Sequence, residues 1–351
     1  MSIFALMSTT TNQSYFPAEW HPQSAIHLVW PSEDSDWSVN YKEVVLCYVA
    51  MIKALLGRQK VLLVFPVGFN VNEYFSQKEQ TKMVITYSSY NDTWVRDYGG
   101  ISMINNGKFR LVDFKFNAWG NKFDWELDNK QTEVLFNKKV FAEEVSYQNN
   151  LSFVLEGGSI DSNGKGLLLT SESCFLNPNR NGVVTKSEVE EVLQTTLAAT
   201  KVLWLKHGKI LGDDTDGHID TLARFVDENT IVYVKCTDEE DEHFQELDLM
   251  EKELEMICAE NELMMISLPM PQSPFLSNAI KKLPATYANF LIINGAVLVP
   301  NYECPQDKIA NDILQNCFPD REIVSVNCLA LIAQGGSLHC ATMQYPAGFV
   351  K

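Results

Sequence analysis

Near the end of the chain, "GGSLHCATMQYP" (335–346) sets Cys340 directly behind a histidine and just past two glycines. A cysteine in such a place is either a small buried apolar residue or a nucleophile. Other notable polar residues stand in comparable settings: Asp97 in "NDTWVRDYGG", Glu156 in "VLEGGSID", and His218 and Asp220 in "GDDTDGHID". One thiol, one imidazole and three carboxylates suit chemistry at a guanidinium. Two carboxylates can grip that planar cation through paired, charge-assisted hydrogen bonds. A thiolate can then attack its carbon, while histidine protonates the departing amine and later activates water. A further carboxylate beside the histidine would hold its tautomer and raise its pKa. A free thiol titrates near ~8.5, and carboxylate neighbours suppress the thiolate further. Bound guanidinium and protonated histidine reverse that sign, so the site is expected to be primed by its own cationic substrate.

The elements around these residues must bring them together. "SAIHLVW" (24–30) and "VLLVFPV" (61–67) read as buried strands, and 41–60 reads as a helix with Val44, Cys47, Tyr48, Met51 and Leu55 on one stripe. That opening indicates an α/β fold. "GGISMINNGKFRLVDF" from Gly99 and "GGSIDSNGKGLLLTSE" from Gly157 each pair a glycine doublet with two strands around an Asn-Gly turn. The pattern returns from His218, again from Asn289, and last, as a truncated copy, from Gly335. Helices expected at 186–200 and 238–261 lie between them. Five such units fit one closed ring, in which equivalent positions converge on the axis. An ordinary mixed α/β protein with common Asn-Gly hairpins is the plainer alternative. The expected organisation is an N-terminal extension over 1–15 and one domain of five hairpin-and-helix units over 16–351.

Several residues have modest readings beside the chemical ones. Trp94 is either core or an apolar wall for a substrate's alkyl stem. Arg96 should point away from Asp97 in an extended segment and form a structural ion pair. In a strand, His339 would face away from Cys340. Asp213, Asp214 and Asp216 shape a turn. Read as a calcium loop, "GDDTDGHID" puts Gly212 at the first ligand position and Ala223 where glutamate is needed, so calcium is rejected. No CxxC or HxxxH spacing suggests zinc.

The net charge of −17 over 351 residues excludes a phosphate-neutralising surface and suits a small cationic partner. No stretch of ~18 apolar residues suggests a membrane span. The start, with Met1 or Met7 as initiator, lacks a secretory pattern. The eight cysteines are spread along the sequence, which points to reduced thiols and the cytoplasm. The acidic stretch 238–262 reads as a solvated helix face.

Taken in register, "FPAEWHPQSAIHLVWPSEDSDW", "NDTWVRDYGG", "FKFNAWG", "EGGSID", "GDDTDGHIDTLARF", "NYECPQD" and "QGGSLHCATMQYP" resemble the agmatine deiminase and bacterial-type peptidylarginine deiminase family. The likeness runs from about residue 16 to 346. It implies the five-bladed α/β propeller of the guanidine-modifying (pentein) superfamily. It also implies hydrolysis of a guanidinium to a ureido group and ammonia without metal or organic cofactor. By motif, Cys340 resembles the nucleophile, His218 the general acid/base, Asp97 and Asp220 the guanidinium clamps, Glu156 the residue orienting His218, and Trp94 a substrate-lining tryptophan. Asn121, Ser337 and Met343 depart from the pattern close to the expected substrate. Agmatine is the expected substrate, with peptidylarginine or another small guanidine as the alternative. An amidinotransferase would need an acceptor amine, and a binding protein would have lost the nucleophile or the acid/base. Assembly into a homo-oligomer is left open.

Overall fold

The computed structural model describes residues 14–272 and 282–351. The first thirteen residues of the expected extension lie outside them. Five separate sheets are present among the described residues, one for each expected unit. In the first, Ser14–Tyr15, Ile101–Asn105, Lys108–Lys115 and Ser146–Val154 pair in that order. The second joins Ile160–Ser162, Leu167–Ser171 and Lys201–Leu205. The third joins Ala223–Phe225, Thr230–Lys235 and Met264–Pro269, and the fourth Leu291–Ile293, Ala296–Asn301 and Glu322–Asn327.

Each unit repeats one connection. A short strand pairs antiparallel with a longer one, which then pairs parallel with a third after a helix. The parallel step needs a crossover helix, supplied by Gln131–Asn137, Lys186–Leu197, Phe244–Asn261 and Gln306–Cys317 in turn. The hairpin turn Asn106–Gly107 has φ of 52° and 74°, the left-handed pair that Asn-Gly favours.

The apparently truncated fifth unit is completed by the other end of the chain. Met343–Pro346 pairs antiparallel with Gln23–Val29, which runs parallel to Lys60–Phe65 and onward to Met83–Tyr87. Helix Tyr41–Leu56 makes the crossover there, burying the expected stripe of Val44, Cys47, Tyr48, Met51 and Leu55. Strands buried on both faces read as continuous apolar runs, as in "KVLLVF".

Helix boundaries differ from expectation where side chains cap the backbone. Asp238 and Asp241 accept from the backbone of Glu240 and His243, which holds 238–243 in turns and delays that helix to Phe244. The helix buries Leu247, Met250, Leu254 and Cys258 and turns its acidic face to solvent, as expected. Thr185 and Glu188 form a capping box that starts the 186 helix on time. It ends at Leu197 because Ala198 is left-handed.

Candidate active site

The loop before each hairpin delivers one polar side chain to the axis. Val95–Tyr98 is a helical turn carrying Asp97, Glu156 precedes the turn Gly157–Ser159, and His218 precedes Ile219–Thr221. Asn289 closes the turn Tyr287–Asn289, and Cys340 lies in the turn before Met343–Pro346. The convergence is tightest at Gly158. A Cβ there would stand 2.7 Å from His218 Nδ1, 2.8 Å from Asp97 Oδ1 and 3.0 Å from Asp220 Oδ2. No larger residue fits without displacing all three.

"GDDTDGHID" braces itself. Asp213 accepts from Thr215 and Gly217, and Thr215 Oγ1 accepts from the His218 N–H. Asp216 and Gly217 are left-handed, with φ of 65° and 88°. The expected turn-shaping role thus falls chiefly to Asp213, while Asp216 pairs with Arg180 and Lys122.

His218 Nε2 lies 2.7 Å from Glu156 Oε2, and its Nδ1 3.6 Å from Asp97 Oδ1. Arg180 grips both Glu156 oxygens at 3.0 and 3.1 Å. Burial disfavours the charged imidazole, but Asp97, Cys174 and Glu156 outweigh it and hold His218 well above its ordinary value. Burial also works against the Glu156 carboxylate, yet His218 and Arg180 leave it below the usual range. Asp97 stands differently. Burial, reinforced by Asp220 and Glu156 and only partly offset by His218, leaves it raised to about 6. Its oxygens accept from Gly158 N–H at 2.9 Å and Trp119 Nε1 at 3.0 Å.

Asp220 is fully buried, and its Oδ1 has no partner. Cys340 Sγ accepts from Asn289 Nδ2 at 3.3 Å and lies 3.7 Å from Asp220 Oδ2. Burial, with Asp220 and Asp97 beside it, pushes this thiol well above its ordinary value.

Cys340, Asp97 and Trp94 line one cavity of about 210 Å³. Its walls include Trp37, Trp119 and Phe123, and its other carboxylates are Asp36, Asp92, Asp213 and Asp214. His218, Glu156 and Asp220 sit directly behind that surface. Trp94 is both core and wall: it is buried, packs on Trp37 at 5.5 Å between ring centres, and leaves room only for hydrogen at Gly336.

Three expectations need correction. Arg96 belongs to a helical turn rather than an extended segment, although it does take the expected ion-pair role, with Glu19 at 3.6 Å. His339 is in a turn rather than a strand and binds Asp220. Asn121, Ser337 and Met343 do not line the cavity. Ser337 bonds Tyr302, and Met343 packs behind Gly99 and Gly157. Asn121 sits at φ 63° at the end of a left-handed run from Ala118, a conformation asparagine tolerates better than most residues.

Asn289 was legible as the start of the fourth unit, though no chemistry was assigned to it. Glu19 lies in a quoted motif without any signal of its role. Among the described residues, Glu156, Cys174 and His218 hold donor atoms within 4.8 Å of one another. A metal there would have to displace the Arg180 guanidinium from both Glu156 oxygens, so the set does not fit one.

A ring of five hairpin-and-helix units with a cysteine, a histidine and carboxylates at its axis is the architecture of the guanidine-modifying enzymes. Within that class, the chain belongs to the family described as Porphyromonas-type peptidyl-arginine deiminase, whose profile matches residues 15–346, and it is an enzyme of the deiminase type. It is 33% identical to an agmatine deiminase of Pseudomonas syringae over 95% of each chain. Among solved structures, a Porphyromonas gingivalis protein provisionally called an arginine deiminase is 44% identical, with a TM-score of 0.91, over 97% of this chain and 100% of that one. A cysteine-to-serine variant of C. jejuni agmatine deiminase with substrate bound is 38% identical, with a TM-score of 0.85, over 95% and 96%. No helix among the described residues is long and apolar enough to cross a membrane.

Proposed function

We propose that this enzyme is an agmatine deiminase, converting agmatine and water to N-carbamoylputrescine and ammonia in the cytoplasm. The observation that carries the reading is the cavity: aromatic walls, aspartates, and neither lysine nor arginine among the described residues that line it. Such a lining suits a slender dication, with a guanidinium at one end and an ammonium at the other. Free arginine would bring a carboxylate into an acidic chamber.

In this reading Asp97 and Asp220 bind the guanidinium, and Trp94 flanks the methylene stem. As that charge enters, the Cys340 proton leaves to solvent and the thiolate adds to the guanidinium carbon. Protonated His218 gives its proton to one amino group, ammonia departs, and a thiouronium cation remains on sulfur. Neutral His218 then takes a proton from water as the oxygen adds to the same carbon. Collapse breaks the C–S bond, and the hydroxyl proton passes to the departing sulfur, restoring the thiol and releasing the ureido product. Glu156 holds the imidazole in place throughout.

Purified protein is given agmatine, free arginine and an arginine-containing peptide, with ammonia and ureido product measured together and Cys340→Ala alongside. Turnover confined to agmatine and lost in the variant supports the proposal. Turnover of the peptide overturns the substrate and keeps the chemistry.

A further inference from the structure

The steps above leave unused a second buried imidazole at the axis. His339 is 2% exposed. Its Nδ1 lies 2.8 Å from Asp220 Oδ2, and its Nε2 lies 2.7 Å from Glu19 Oε2. Both carboxylates are held below their ordinary range, so the ring lies between two ionised acceptors. Glu19 is itself fixed, because Oε1 accepts from the Ile292 N–H at 2.6 Å and Oε2 from Arg224 Nη2 at 3.0 Å. The His339 backbone N–H is tied to Asn289 Oδ1 at 2.9 Å, and the same amide group donates to the Cys340 sulfur.

The arrangement is directional. An aspartate pivots about its last side-chain torsion, which is broad and soft. A bond from His339 to Oδ2, the oxygen 3.7 Å from Cys340 Sγ, sets the plane of the carboxylate, while Oδ1 has no hydrogen-bond partner among the described residues. We infer that His339 is a positioning residue for guanidinium recognition: anchored by Glu19, it fixes the plane of the Asp220 carboxylate for the arriving substrate cation. The inference rests on the reading of Asp220 as a guanidinium clamp and is independent of which guanidine is the substrate.

The test uses methylguanidinium as the probe and alkylation of Cys340 by iodoacetamide, read by mass spectrometry of its peptide. His339→Asn keeps an amide N–H near the Nδ1 position, while His339→Gln carries its amide toward Glu19. The concentration of methylguanidinium giving half-protection is expected to stay close to wild type in His339→Asn and to rise about tenfold in His339→Gln. In steady state, the Gln variant should raise KM more than it lowers kcat. Equal behaviour of the two variants, whether both protected or both impaired by the same factor, overturns the inference, since lost volume alone would do that. Should both fail to fold, Glu19→Gln decides. A half-protection concentration raised about threefold supports the anchor, and an unchanged one overturns it. Wild-type protein that methylguanidinium does not protect would remove the clamp reading and the inference with it. Protected wild type with indistinguishable variants removes the inference alone.

Discussion

Behind the cavity floor, Glu19, Arg96, Asp161, Arg224 and His339 form a layer in which charges are matched. Arg224 is 0% exposed and holds Asp161 at 2.9 Å and Glu19 at 3.0 Å. At the floor itself the count is different. Asp97 is raised to about 6, Asp220 directly behind it has an orphan oxygen among the described residues, and burial together with both carboxylates pushes the Cys340 thiol up. The inner layer pairs each guanidinium with a carboxylate, although Arg96 Nη2 makes no hydrogen bond among the described residues. The outer one is short of positive charge where a cation would arrive. The contrast places a shortage of positive charge at the cavity, whereas the layer beneath it sets two guanidiniums against two carboxylates.

The sharpest way to break the contrast is at the sulfur. Cys340→Ala should abolish turnover, by at least about 10⁴-fold, while a thermal melt shows an intact fold. Next comes the inner layer. Arg224→Met strands two buried carboxylates and should cost about 3–5 kcal/mol by urea unfolding. The same measurement on the outer layer should move the other way. The folded-state pKa of Asp97 lies above the 3.8 of the ordinary carboxyl, so its ionisation costs stability as pH rises through that interval and the cost persists above it. Asp97→Asn should therefore stabilise the protein at neutral pH by about 1 kcal/mol, less than the full shift implies because His218 loses a partner. The gain should fade as pH falls from about 6 toward 3.8. The same residue should shape activity: kcat/KM should decline on the acid side of about 6, where Asp97 takes up its proton. A profile flat through that range would dissociate Asp97 from substrate binding. The smallest effect belongs to Met343, which is buried one layer behind the cavity. Met343→Leu should cost under about 1.5 kcal/mol and leave KM unmoved.

Local patterns carried much of this into the sequence. Asn-Gly turns, glycine doublets and apolar runs marked the hairpins, and the repeated spacing marked the ring. The residues at the mouths of the units could be read because each sits in the short loop just before a strand. His339 could not be assigned in this way. Its role depends on a turn that replaces the expected strand, and on Glu19, which only the closure of the ring brings near it. The same holds for the completion of the fifth sheet, a pairing between opposite ends of the sequence that no local window contains. Nor did spacing show that Asn121, Ser337 and Met343 stand away from the cavity, since neighbours in sequence can lie on opposite sides of one backbone.

That end-to-end pairing also governs timing. On the ribosome, Gln23–Val29 emerges long before the strand that covers its free edge. Cys340 arrives with that final strand. A nascent chain therefore carries His218 and the carboxylates long before it carries Cys340, and that sulfur is delivered in the same stretch of synthesis that closes the fifth sheet. Contacts of such long sequence separation also slow folding, so the closing of that sheet is the step that brings Cys340 to the carboxylates and His218.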